Sequence, residues 1–152
     1  TCGLSMARWI GWIVNMGWLF GLITTVTLGR SLTHIFLPDG GAQSIATVPL
    51  NQYSSGAESA VISVFAQWGL SQLLIAMVMI IATLRFRSMI PLLYLLLICE
   101  YVGRICIGVF KPLETLQTPP GATGSLVILG ASLVGLLLSL RTGDVERLAL
   151  GE

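Results

Sequence analysis

Glu100 and Arg104 stand in the run Ile98-Cys99-Glu100-Tyr101-Val102-Gly103-Arg104-Ile105-Cys106, a carboxylate and a guanidinium set among apolar residues. Unpaired and facing lipid, each costs about 2.5–3.5 kcal/mol at the centre of a bilayer, so neither is expected to face lipid. The i, i+4 spacing with the acid on the N-terminal side is the better orientation for an ion pair within one helix. Two chemistries remain open for such a pair: a lock that fixes one helix packing, or a site for a ligand, an ion or a proton.

Upstream, Ser59, Ser63, Gln67 and Ser71 recur every four residues, with Gln72 beside them. That spacing makes a polar stripe on one helical face. If the two segments run antiparallel about a tight turn at Arg85-Phe86-Arg87, residues at equal depth have numbers adding to roughly 175. Glu100 then sits level with Ile75, and Arg104 level with Ser71. Amide and hydroxyl groups of the stripe would satisfy the guanidinium donors that Glu100 leaves over, since arginine offers five. Glu100, Arg104, Gln67, Ser71 and Gln72 are therefore the expected ligand-binding set. Taken alone, a Ser and Gln stripe reads as glue between helices, worth about 0.6 kcal/mol per bond.

Other chemistry is thinly represented. His34 is the only histidine, in Thr33-His34-Ile35-Phe36-Leu37-Pro38-Asp39-Gly40-Gly41. With Asp39 and Glu58 it makes no metal signature, because zinc and iron sites converge three or more ligands at recognisable spacing. It reads as a capping or surface histidine near the membrane. Cys99 and Cys106 are seven apart, about 10 Å along a helix and too far for a disulfide, so they read as packing. Cys2 is isolated. The sequence contains no G-x-S-x-G, H-E-x-x-H or P-loop. No catalytic residue and no metal are expected, an enzyme ranks third among the readings, and a cofactor stays unidentified.

The elements that must position these residues follow from composition. Of 152 residues, 55% are hydrophobic and 10% charged, with 17 Gly and 6 Pro; the mean hydropathy is +0.88. A soluble domain carries roughly 25% charged residues, so this composition belongs in a bilayer. Disorder, collagen and a disulfide scaffold are excluded by the apolar content, the lack of a Gly period and the three cysteines. A net charge of +1 gives no electrostatic footing for nucleic acid.

Four segments reach the roughly 20 apolar residues a bilayer requires: Trp9 to Leu28, Val61 to Leu84, Met89 to Phe110, and Gly121 to Leu140. The expected fold is an all-α integral membrane protein, one transmembrane domain over residues 1–152 forming a four-helix bundle. Arg8, Arg85, Arg87, Arg141 and Arg147 fall on one side of it, against Arg30 and Lys111 on the other. Basic residues favour the cytoplasmic flank, which puts both termini there. The first apolar stretch is about twice the length of a signal h-region and is read as a permanent helix, with Trp9 and Trp12 as interfacial anchors. Asn15 needs a partner across the bundle. Gly17 and Gly21 form a G-x-x-x-G, and Ser125, Ser132, Ser139 and Gly135 a small-residue stripe; both are expected to serve close packing within the bundle.

The motifs Phe65-Ala66-Gln67-Trp68-Gly69-Leu70 and Tyr101-Val102-Gly103-Arg104 resemble those of a family of small bacterial four-helix membrane proteins of unknown function, over spans two to four. The resemblance implies a compact protein of the bacterial inner membrane and supplies no activity, so no role is carried over to Gln67, Glu100 or Arg104. Two functional expectations stand. The leading one is an accessory or structural subunit whose small-residue faces dock on a larger membrane complex. The alternative is a small-molecule or ion-binding or transport protein, with Arg104 holding an anionic or carbonyl group in a polar pocket between helices two and three and Glu100 orienting it. The partners expected are the lipid bilayer and other membrane subunits.

Overall fold

The computed structural model describes residues 17–150, with 141–150 described as helix backbone only. Cys2, Arg8, Trp9, Trp12 and Asn15 lie outside the described residues. Four helices follow one another: α1 Trp18–Phe36, α2 Ser55–Leu84, α3 Ile90–Phe110 and α4 Pro120–Leu150. Single 3₁₀ turns at Leu50–Gln52 and Arg87–Met89 lead into α2 and α3, and no strand occurs among the described residues. Each helix is long and apolar enough to cross a membrane.

The first helix runs beyond the expected end at Leu28, and Arg30 lies inside it. Hydroxyl chemistry accounts for this length. Thr24, Thr25, Thr27, Ser31 and Thr33 each donate to the carbonyl four residues back, so their polar groups are satisfied within the helix. The first strong breaker is Pro38-Asp39-Gly40-Gly41. Gly40 and Gly41 take φ of +59° and +74°, a left-handed pair that glycine adopts without a Cβ penalty. The Asp39 carboxylate accepts from the amides of Gly41 (2.9 Å), Gln43 (3.1 Å) and Ser44 (2.6 Å). Burial pushes this carboxyl up, but the Ser44 and Gly41 amides outweigh it and hold it below the ordinary carboxylate value.

The loop between α1 and α2 carries a small core of its own, Ala42, Val48 and Leu50, packed against Tyr53, Val61 and Phe65. Ser54 then caps α2 by accepting from the Ala57 amide. Thr47, a β-branched residue at φ 58°, ties this loop to the one before α4. Its hydroxyl donates to the Gln117 carbonyl (2.9 Å) and its own carbonyl accepts from the Leu116 amide (2.9 Å).

The helices associate as two pairs. α1 packs along α2 and α3 along α4, whereas the backbones of α2 and α3 come close over only a short stretch. The first pair meets at Gly69, where a Cβ would stand 2.7 Å from the His34 Cβ and 3.0 Å from the Ser31 carbonyl oxygen. The second pair meets at Gly135, over which the Tyr94 ring lies so closely that a Cβ would enter it. Ser125, Ser132 and Ser139 are buried on the same α4 face, so this small-residue stripe does serve packing within the bundle. Gly21 of the G-x-x-x-G instead faces open space. Cys99 and Cys106 fall on the outward surface rather than in packing. The pairs are joined toward the Arg85-to-Arg87 turn by Phe20, Met79, Ala82, Ile90, Leu93 and Tyr94, with Phe20 and Tyr94 edge to face at 5.2 Å between centroids.

Candidate functional site

Toward the looped end, the seam between the two pairs is filled by polar and aromatic groups. α3 supplies Glu100, Tyr101 and Arg104, α2 supplies Trp68 and Gln72, and α1 supplies Arg30. The expected ion pair is present. Arg104 donates through Nε (3.1 Å) and through Nη2 to Glu100 Oε1. Gln72 Nε2 reaches the same oxygen from α2 at 3.2 Å. Three donors thus converge on one carboxylate oxygen, and Arg104 spends two of its five N–H groups there. The pair is not sealed, since the side chains of Arg104 and Glu100 keep 21% and 27% of their exposure.

Trp68 is the common platform. Its ring centroid lies 4.5 Å from the Arg104 guanidinium carbon and 4.7 Å from that of Arg30. A cation on a tryptophan face gains about 0.5–1 kcal/mol when exposed and about 2 kcal/mol when desolvated. Tyr101 is buried beside both, with its ring centroid 5.4 Å from the Arg104 guanidinium carbon and its hydroxyl beside Arg30. Arg30 and Arg104 each sit six residues before the end of their helix, roughly 9 Å below the loops. Two guanidiniums therefore share one ring at the same depth, and one of them is paired with the carboxylate.

His34, one turn beyond Arg30, supports the platform from below the loop. Its Nδ1–H donates to the Gly40 carbonyl at 2.7 Å, and its ring packs 4.7 Å from Trp68 and 5.7 Å from Phe65. The expected capping role fits that bond, but the residue is buried rather than at the surface.

Of the residues singled out from the sequence, Glu100, Arg104 and Gln72 meet, and Gln67 and Ser71 stand apart. Gln67 donates to Ser63 Oγ at 3.4 Å and Ser71 to the Gln67 carbonyl at 3.2 Å, all three on the exposed face of α2. The register explains the split. Gln72 faces Glu100 and Trp68 faces Arg104, three residues away from the expected Ile75 and Ser71. The 3₁₀ turn at Arg87–Met89 contributes, because it climbs about 2.0 Å per residue against 1.5 Å for an α-helix and lifts α3 relative to α2.

Arg30, Trp68 and Tyr101 were not anticipated. Arg30 falls outside the expected first span, because the apolar count stops at Leu28, although no breaker stands between it and Pro38. Trp68 was visible as an aromatic four residues before Gln72, hence on the same helical face. Comparison of the chain with protein-family models, with curated proteins and with solved structures gives no match.

Proposed function

We propose that this chain is an integral membrane protein that binds a small molecule or ion in the seam between its two helix pairs. One observation carries the reading: the ionisable groups lie between the pairs and stay partly exposed, rather than inside either packed pair. An ion pair that only locked a helix packing would be expected at a closely packed interface, such as Gly135 on Tyr94. The backbones of α2 and α3 approach over only a short stretch, unlike those within either pair. The test is native mass spectrometry of detergent-purified protein. A lone chain carrying an extra small mass is expected, and stoichiometric larger subunits with no small mass would displace the reading.

Orientation belongs to the same proposal. With Arg30 inside α1, the looped side keeps only Lys111 among the basic residues near span ends, against Arg8, Arg85, Arg87, Arg141 and Arg147 on the other. On this reading both termini are cytoplasmic and the seam opens toward the outside, since basic residues favour the cytoplasmic flank. An impermeant thiol reagent should label Ser55→Cys and spare Thr142→Cys in intact cells; the opposite pattern would reverse the topology. A location in the bacterial inner membrane is part of the same proposal.

A second reading, as an accessory subunit docking on a larger membrane complex, is favoured by the outward stripe Ser59, Ser63, Gln67 and Ser71. Hydroxyl and amide groups on a lipid-facing helix surface are the kind that hydrogen-bond across helices.

A further inference from the structure

We infer that the seam takes an oxyanion, a carboxylate or phosphate group that also carries a hydrogen-bond donor, with Arg30 and Arg104 as its two cationic jaws. The inference rests on the binding reading above and names the class of ligand. Charge is the first ground. Arg30 and Arg104 lie within 4.7 Å of one Trp68 ring, and the seam supplies Glu100 as their only carboxylate among the described residues. One positive charge is left over at a depth where an uncompensated charge is costly.

Donor geometry is the second. Three N–H groups of Arg104 are not spent on Glu100, and a guanidinium fork matches the paired oxygens of carboxylate and phosphate. A halide would neutralise the charge but use the forks poorly. The third ground is independent of charge. Gln72 is 2% exposed, and its Oε1 has no hydrogen-bond partner although its Nε2 is bound to Glu100. A buried amide oxygen without a donor costs about 1–3 kcal/mol. A hydroxyl on the bound group answers it, as in a singly protonated phosphate or a glycerol headgroup.

That chemistry has two sources, a free anion arriving from the looped side or a lipid headgroup entering through the gap between the pairs. The full chain in phosphatidylcholine nanodiscs separates them. Inorganic phosphate is added at constant ionic strength against chloride in one arm, and phosphatidylglycerol replaces part of the lipid in the other. A saturable rise in the thermal midpoint is expected in one arm. Arg30→Gln should weaken it at least tenfold and Lys111→Gln, a cation on the same side, should leave it unchanged. If Arg30→Gln yields no folded protein, Arg30→Lys carries the test; it keeps the charge, loses the fork and should bind several-fold more weakly.

No shift in either arm, or equal loss in the Arg30 and Lys111 variants, overturns the inference. The broader reading fails differently. A neutral small mass retained by the wild type and lost in Gln72→Leu would keep the binding site while removing the oxyanion, and a chain with no retained mass and no anion response would remove both.

Discussion

Glu100→Gln lowers the stability of the folded protein more than Glu100→Gln combined with Arg104→Met. The acid pairs with Arg104, one of two guanidiniums on Trp68, and is the only carboxylate in the seam among the described residues. Removing it leaves the Arg104 guanidinium unpaired beside that of Arg30 on the same ring and takes a charged acceptor from Gln72 Nε2. Breaking a buried pair from one side costs about 3–5 kcal/mol, and the partial exposure of these side chains sets the expectation at the lower end. The double variant removes one orphan along with its partner and leaves Arg30 on the ring, so most of the loss should return. Unfolding of the three variants in graded SDS, followed by circular dichroism, measures this. Wild-type stability in Glu100→Gln alone would refute the pair as a structural element. A stable double variant that no longer retains a small mass would separate the site from the scaffold.

Gly135→Leu should be the more damaging change on the opposite side of the molecule. The Tyr94 ring occupies the space a side chain would need, and Tyr94 is fully buried with its ring held edge-on by Phe20. The ring cannot yield without opening the core that joins the pairs, so α3 and α4 must separate. Overpacking typically costs about 1–3 kcal/mol, and the backbone contact here puts the expectation at or above the top of that range. Leu137→Ile, on a side chain 63% exposed, should change stability by no more than about 0.5 kcal/mol. Thermal denaturation followed by size exclusion compares them. Equal losses would show that the contact at Gly135 is not what holds the second pair, and recovery in Gly135→Leu with Tyr94→Ala would show that it is.

How far the sequence could be read depended on whether a feature was local. The Glu100–Arg104 pair follows from spacing on one helix and needed nothing beyond it. The small-residue stripe of α4 likewise announces a close approach, and Ser132 and Gly135 are buried where it predicts. Gln72 was reachable because a depth estimate good to a turn still brings it near Glu100. The same estimate could not separate Gln67 and Ser71 from Gln72, because a shift of three residues is nearly one helical turn and decides which face meets the neighbour. Arg30 was hidden for a different reason. Apolar counting ends a span where hydroxyls begin, yet the threonines and Ser31 of α1 bond back to their own helix and carry it through Arg30 to Phe36.

On the binding reading proposed above, the Thr47 contact bears on time rather than affinity. The two helix pairs are joined through the chain at Arg85-Phe86-Arg87 and, at the other end, by the Thr47 bonds to Gln117 and Leu116. The seam is therefore bridged at both ends, by the chain at one and by hydrogen bonds between the two loops at the other. The bridge between the loops holds a β-branched residue at φ 58°, a conformation that costs about 1–3 kcal/mol. On that reading, opening of this bridge would set the residence time of a ligand, and the arginines beneath it the affinity.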